Sequence, residues 1–123
     1  MREVRTSELT EDMLGIIEYH LPGRSKDTIA WYENFTHDTV LFYDEEGRLD
    51  SMLSYFSLDF RFDTMIAMQR EDKFSKRMWK ILRDTLVSRV KPIRIMSDPK
   101  KKALHKAAAR YGGKFYEDEV FFD

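Results

Sequence analysis

The run from Thr39 to Met68, TVLFYDEEGRLDSMLSYFSLDFRFDTMIAM, reads as strands and not as helix, and it limits the fold more than any other stretch. Val40–Tyr43 forms a first strand. Asp44-Glu45-Glu46-Gly47 supplies the acidic and glycine residues of a tight turn, and a longer strand runs from about Leu49 to Leu58. Phe60–Met68 follows as a third. The three make an antiparallel meander, and such a sheet must have its apolar faces covered by other elements.

The flanks supply those covers. Arg2–Thr6 alternates as a short strand. Thr10 is placed to cap a helix in which Met13, Leu14, Ile16 and Ile17 form the apolar face, with Leu21-Pro22-Gly23 as its stop. A second helical segment covers Lys26–Asn34, anchored by Ile29, Trp31 and Tyr32. Past the meander, Phe74, Met78, Ile81, Leu82, Thr85 and Leu86 recur at spacings of three and four, the clearest helix in the chain. A strand at Ile93–Met96 follows. The next helix has Asp98 at its N-cap, Pro99 in its first turn and Gly112 or Gly113 as its stop, and Lys114–Asp123 closes as a terminal strand. The order is β-α-α-β-β-β-α-β-α-β: an α/β (α+β) fold with a mixed, mostly antiparallel central sheet flanked by helices.

With 123 residues and no Pro/Gly-rich linker, residues 1–123 read as a single domain. The 21 Lys and Arg balance 22 Asp and Glu, which argues against a nucleic-acid partner even though Pro99–Lys106 carries four lysines. No cysteine is present, so disulfides, thiolate metal sites and a Cys nucleophile are excluded. The three histidines show no metal spacing: His20 ends a helix, His37 falls in a loop and His105 lies among lysines. The charged first residues lack a signal-peptide core and no apolar run would span a bilayer, so a cytoplasmic protein without a membrane partner is expected.

Several stretches in that order resemble the GCN5-related N-acetyltransferase (GNAT) superfamily, the acyl-CoA N-acyltransferase fold. MREVRTSELTEDMLGII is similar to its opening strand and first helix, GRLDSMLSYFSL to its third strand and DTMIAMQ to its fourth. KFSKRMWKILRDTLVSRV falls where the family has its cofactor helix, and DPKKKALHKAAARYGGKF resembles the penultimate helix and the turn after it. The likeness spans nearly the whole chain and is nearest the small, glycine-poor members found in bacteriophages, which implies a host cytoplasm or virion.

The resemblance implies acetyl-CoA as cofactor and an amine as acceptor, on a small molecule or on a protein such as a host protein. It implies that Ile66, Ala67 and Met68 pair with the pantetheine arm, with Met68 or its neighbour offering a backbone N–H to the oxyanion. The pyrophosphate belongs at the following helix start, on Lys73, Ser75, Lys76, Arg77 and Met78. The family's loop uses two glycines there, but this chain has Lys76 and Met78 in those positions. Either Lys73, Lys76 and Arg77 grip the phosphates by charge, or they form a solvated patch on a scaffold that no longer takes the cofactor. The family's acid, a tyrosine on the penultimate helix, corresponds to Ala108. Asp63 is the candidate base, with a turn residue as its plainer reading. Two functions stay open: an N-acetyltransferase, or an inactive binding or virion-associated protein of the same fold.

Overall fold

The computed structural model describes residues 2–21, 23, 25–70, 76–96, 102–116 and 119–123. Its elements are β1 (Arg2–Thr6), α1 (Glu11–His20), α2 (Ser25–Asn34), β2 (His37–Tyr43), β3 (Leu49–Phe56), β4 (Asp63–Gln69), α3 (Lys76–Ser88), β5 (Ile93–Met96), α4 (Lys102–Ala109), β6 (Lys114–Tyr116) and β7 (Glu119–Phe122). The strands form one sheet in the order β1-β2-β3-β4-β5-β7-β6. Every pairing is antiparallel except β4 with β5, which α3 joins as a parallel crossover. The expected mixed, mostly antiparallel sheet with flanking helices is therefore what forms.

Alternation along the strands divides the core in two. Val40, Phe42, Leu53, Met65, Ala67, Ile93, Ile95, Val120 and Phe122 face Met78, Leu82 and Leu86 of α3 and Ala108 of α4. Leu41, Tyr43, Met52, Phe56, Ile66 and Met68 face Met13, Ile16 and Ile17 of α1 and Tyr32 of α2. In α3, Met78, Leu82 and Leu86 stand four residues apart and are fully buried, so one stripe secures the helix. Each such side chain stabilises the fold by roughly 1.5–3 kcal/mol.

Local chemistry sets several boundaries. The Thr10 hydroxyl accepts from the Met13 N–H at 3.4 Å and caps α1. The Asp44 carboxylate accepts from the N–H groups of Glu46 and Arg48 at 3.0 and 2.9 Å, closing the β2–β3 turn. β4 starts at Asp63, later than expected, because Asp59 accepts from the Arg61 N–H at 2.8 Å and turns the chain there, leaving Phe60 exposed. The terminal strand is two strands, β6 and β7, paired antiparallel. Asp98 and Pro99 lie outside the described residues.

His37 corrects its loop assignment: it opens β2 and is 2% exposed. Its Nδ1 lies 2.8 Å from the Thr39 hydroxyl, which donates to Ser54 Oγ at 2.9 Å; the Tyr32 phenol donates to the same oxygen at 2.6 Å. With the Thr39 proton committed to Ser54, the His37 Nδ1 donates, and Nε2 is left as a buried lone pair with no partner among the described residues. Burial accordingly lowers the His37 pKa, although Asp38 opposes the shift.

Candidate functional site

β4 is longer than the parallel neighbour described beside it. Its register with β5 runs from Asp63↔Ile93 to Ile66↔Met96, whereas its register with β3 continues to Ser51↔Gln69. The Asp63 N–H donates to the Pro92 carbonyl on the β5 side, and the Arg70 N–H donates to the Asp50 carbonyl on the β3 side. With period two and no bulge between β3 and β4, Ala67 and Gln69 direct their main chain toward the β5 side. By steps of two from the Asp63–Pro92 bond, the Ala67 N–H falls on the Met96 carbonyl at the last rung, and Gln69 lies past it. Met68 directs its N–H to β3, and its side chain is buried against α1 and α2. The N–H on the β5 side past the last described rung is thus that of Gln69 and not of Met68.

At Gln69 that edge meets His20, the last residue of α1. Its Nε2 lies 3.0 Å from the Gln69 N and 2.6 Å from the Gln69 carbonyl oxygen. The imidazole stands where a paired strand or an extended ligand would meet the main chain. On the α3 side, Gln69 Nε2 and Ser51 Oγ are buried and unpartnered among the described residues, two polar groups side by side at the end of β4.

The first turn of α3 exposes Lys76 and Arg77 and sends Met78 into the core. Arg77 is held by Glu3 of β1 at 2.5 Å, so its charge is directed across the sheet. Lys76 makes no ion pair among the described residues. Lys73 and Ser75 lie outside them. Ala108 is 1% exposed in the core, and Tyr111 packs at 5.8 Å from Trp79.

Asp63 stands at the other end of β4, three residues and roughly 10 Å from the last rung. Its carboxylate faces α3 and accepts from Lys91 at 2.8 Å, from Ser57 at 3.1 Å and from the Tyr55 phenol. Burial pushes its pKa up, but these donors outweigh burial and hold it below the usual carboxylate range. Burial first, then the bond to Asp63, raises the Tyr55 phenol far above its ordinary value. Both line a cavity of about 440 Å³ with Asp38, Asp84, Thr85 and Ser88 on the α3 side.

The opposite face holds a group that sequence reading missed. Registers place Glu119, Met96, Ile66, Ser54 and Thr39 in one row, and Phe121, Arg94, Thr64, Phe56 and His37 in the next. Arg94 donates to the Thr64 hydroxyl at 3.2 Å, lies over the rings of Trp31 and Phe62 at 5.6 and 5.1 Å, and approaches Glu119 at 3.8 Å. The signal available in the sequence was the alternation Glu119-Val120-Phe121-Phe122, which puts Val120 and Phe122 on the α3 face and leaves Glu119 on the other.

No family model matches the sequence, and no curated protein matches it. Solved structures do match. The GNAT family N-acetyltransferase YhbS from Escherichia coli, in complex with CoA, shares 12% identity and a TM-score of 0.59 over 99% of this chain and 81% of its own. An acyl-CoA N-acyltransferase from Pseudomonas aeruginosa gives 9% and 0.64, over 98% of this chain and 96% of its own. An aminoglycoside 6'-N-acetyltransferase complexed with coenzyme A gives 10% and 0.60, over 98% and 93%. At these identities the likeness is one of architecture. The chain has the GNAT, or acyl-CoA N-acyltransferase, fold.

Proposed function

We propose that this protein is an acyl-CoA-dependent N-acyltransferase, with acetyl-CoA as donor and an amine as acceptor. The observation that carries the reading is the main-chain edge from the Ala67 carbonyl to Gln69, past the last described β4–β5 rung. A pantetheine arm has amides that pair with such an edge as an added strand does. The CoA thioester supplies an activated acyl carbonyl; the chain's residues do the rest. The Ala67 and Gln69 carbonyls would hold the arm, and the Gln69 N–H, once the His20 ring gives it up, would replace that of Met68 as donor to the oxyanion. Lys76, at the positive end of the α3 dipole, would meet the pyrophosphate, and Lys73 and Ser75 belong to the same proposal. The buried amide of Gln69 and hydroxyl of Ser51 fit a polar group arriving at that junction.

Two duties compete for Asp63: accepting the amine's proton, or clamping Lys91 and Tyr55. Its three donors and its place on the α3 face favour the clamp.

Thermal unfolding with acetyl-CoA tests the reading. At 100 times its dissociation constant the ligand should add about 2.7 kcal/mol of apparent stability. Lys76→Glu, on an exposed position that leaves the core untouched, should reduce the shift by placing a repelling charge against the phosphates. An unfolding curve indifferent to millimolar acetyl-CoA would rule the function out.

A further inference from the structure

The face from which an amine can reach the last β4–β5 rung is set by packing. On the α3–α4 side, Met78, Leu82, Ala108 and Val120 are each at most 1% exposed and close the approach. On the other side the rung is flanked by half-buried residues: Trp31, Phe62, Arg94, Met96, Glu119 and Phe121. Among the described residues, these six offer the way in for an acceptor.

Glu119 is the carboxylate among them. It lies directly beside Met96 in the row of the last rung, so its Cα is two strand spacings, roughly 10 Å, from that of Ile66. Its side chain is 30% exposed and makes one contact among the described residues, the 3.8 Å approach of Arg94. That distance is too long for a hydrogen bond, so its oxygens keep their accepting capacity. Asp63, by contrast, faces the other side of the sheet with three donors already on it.

We propose that Glu119 receives the acceptor's proton, and that the surrounding rings select a primary amine carried on an aliphatic stem. The proposal rests on the acyltransferase reading and names the substrate class and the base for that site. Trp31, Phe62 and Phe121 offer apolar walls for the stem, while Arg94, held between two of the rings, discourages a second positive charge nearby. As the amine nitrogen forms its bond to the acyl carbon, the carbon–sulfur bond breaks and the sulfur leaves with the electron pair. The nitrogen's proton passes to the Glu119 carboxylate, directly or through one water, and the thiolate takes a proton from solvent.

The test needs no knowledge of the natural acceptor. S-(2-aminoethyl)-CoA places an ammonium beyond the sulfur, and S-propyl-CoA is its neutral counterpart of similar size. By calorimetry the ammonium ligand should bind wild type about tenfold more tightly, the ratio expected of one charged hydrogen bond. Glu119→Gln should erase the ratio while leaving S-propyl-CoA affinity and the melting temperature unchanged, and Glu119→Asp should keep part of it. Equal affinities in wild type, or a ratio that survives in Glu119→Gln, would overturn the role of Glu119. If wild type binds neither thioether, the acyl-CoA reading falls, and this inference with it.

Discussion

At the scale of single residues, charge at a sheet position acts according to what surrounds it. Asp63 and Glu119 are both strand carboxylates, but one is enclosed by Lys91, Ser57 and Tyr55 and the other, among the described residues, meets one distant guanidinium. Asp63→Asn should destabilise the protein by about 1–3 kcal/mol in chemical denaturation, since Lys91 and Tyr55 lose the acceptor that satisfies them. Acyl transfer would then fall only as far as stability does; a collapse in rate with an unchanged melting temperature would make Asp63 the base. The folded-state pKa of Asp63 lies below its ordinary value. Its stabilising contribution is therefore present above about pH 3.9 and is lost as pH falls through the folded value. Asp63→Asn should flatten that part of the acid-unfolding curve, and an unchanged curve would deny the linkage.

At the scale of elements, what the sequence revealed depended on whether burial was apolar. The stripe of α3 and the alternation of β3 and β4 were readable because their buried residues are mainly hydrophobic. The start of β2 was not. His37 and Thr39 are buried through hydrogen bonds with Tyr32 and Ser54, a pattern that hydrophobic periodicity does not register. The division of the last strand was hidden because a hairpin in a charged stretch resembles one polar strand, and with it went the position of Glu119. The glycine pair after α4 was read correctly as a stop, but its two members do different work. Gly112 takes φ 79°, which ends the helix. Gly113 leaves room for β7: a Cβ there would lie 2.7 Å from Val120 Cγ1 and 3.0 Å from the Phe122 ring. Gly113→Ala should cost about 1–3 kcal/mol by displacing two core side chains of β7, read as a lowered melting temperature. A neutral result would mean that β7 shifts freely.

At the scale of the whole molecule, the seven strands and four helices of the described residues leave the end of β4 running past its rungs with β5. Strand order and the parallel crossover through α3 put the end of β4 between β3 and β5. The sequence could indicate that strand but not the direction of its N–H groups, which required the register with β3 and the bonds at Asp63 and Arg70. Nor could it show His20 at Gln69, a contact between residues 49 positions apart. Residue-resolved amide hydrogen exchange with and without acetyl-CoA examines that edge most directly. The account predicts slowed exchange at Gln69 and in the first turn of α3, with little change in β1 and β2. Unaltered exchange at Gln69 under saturating acetyl-CoA would contradict it.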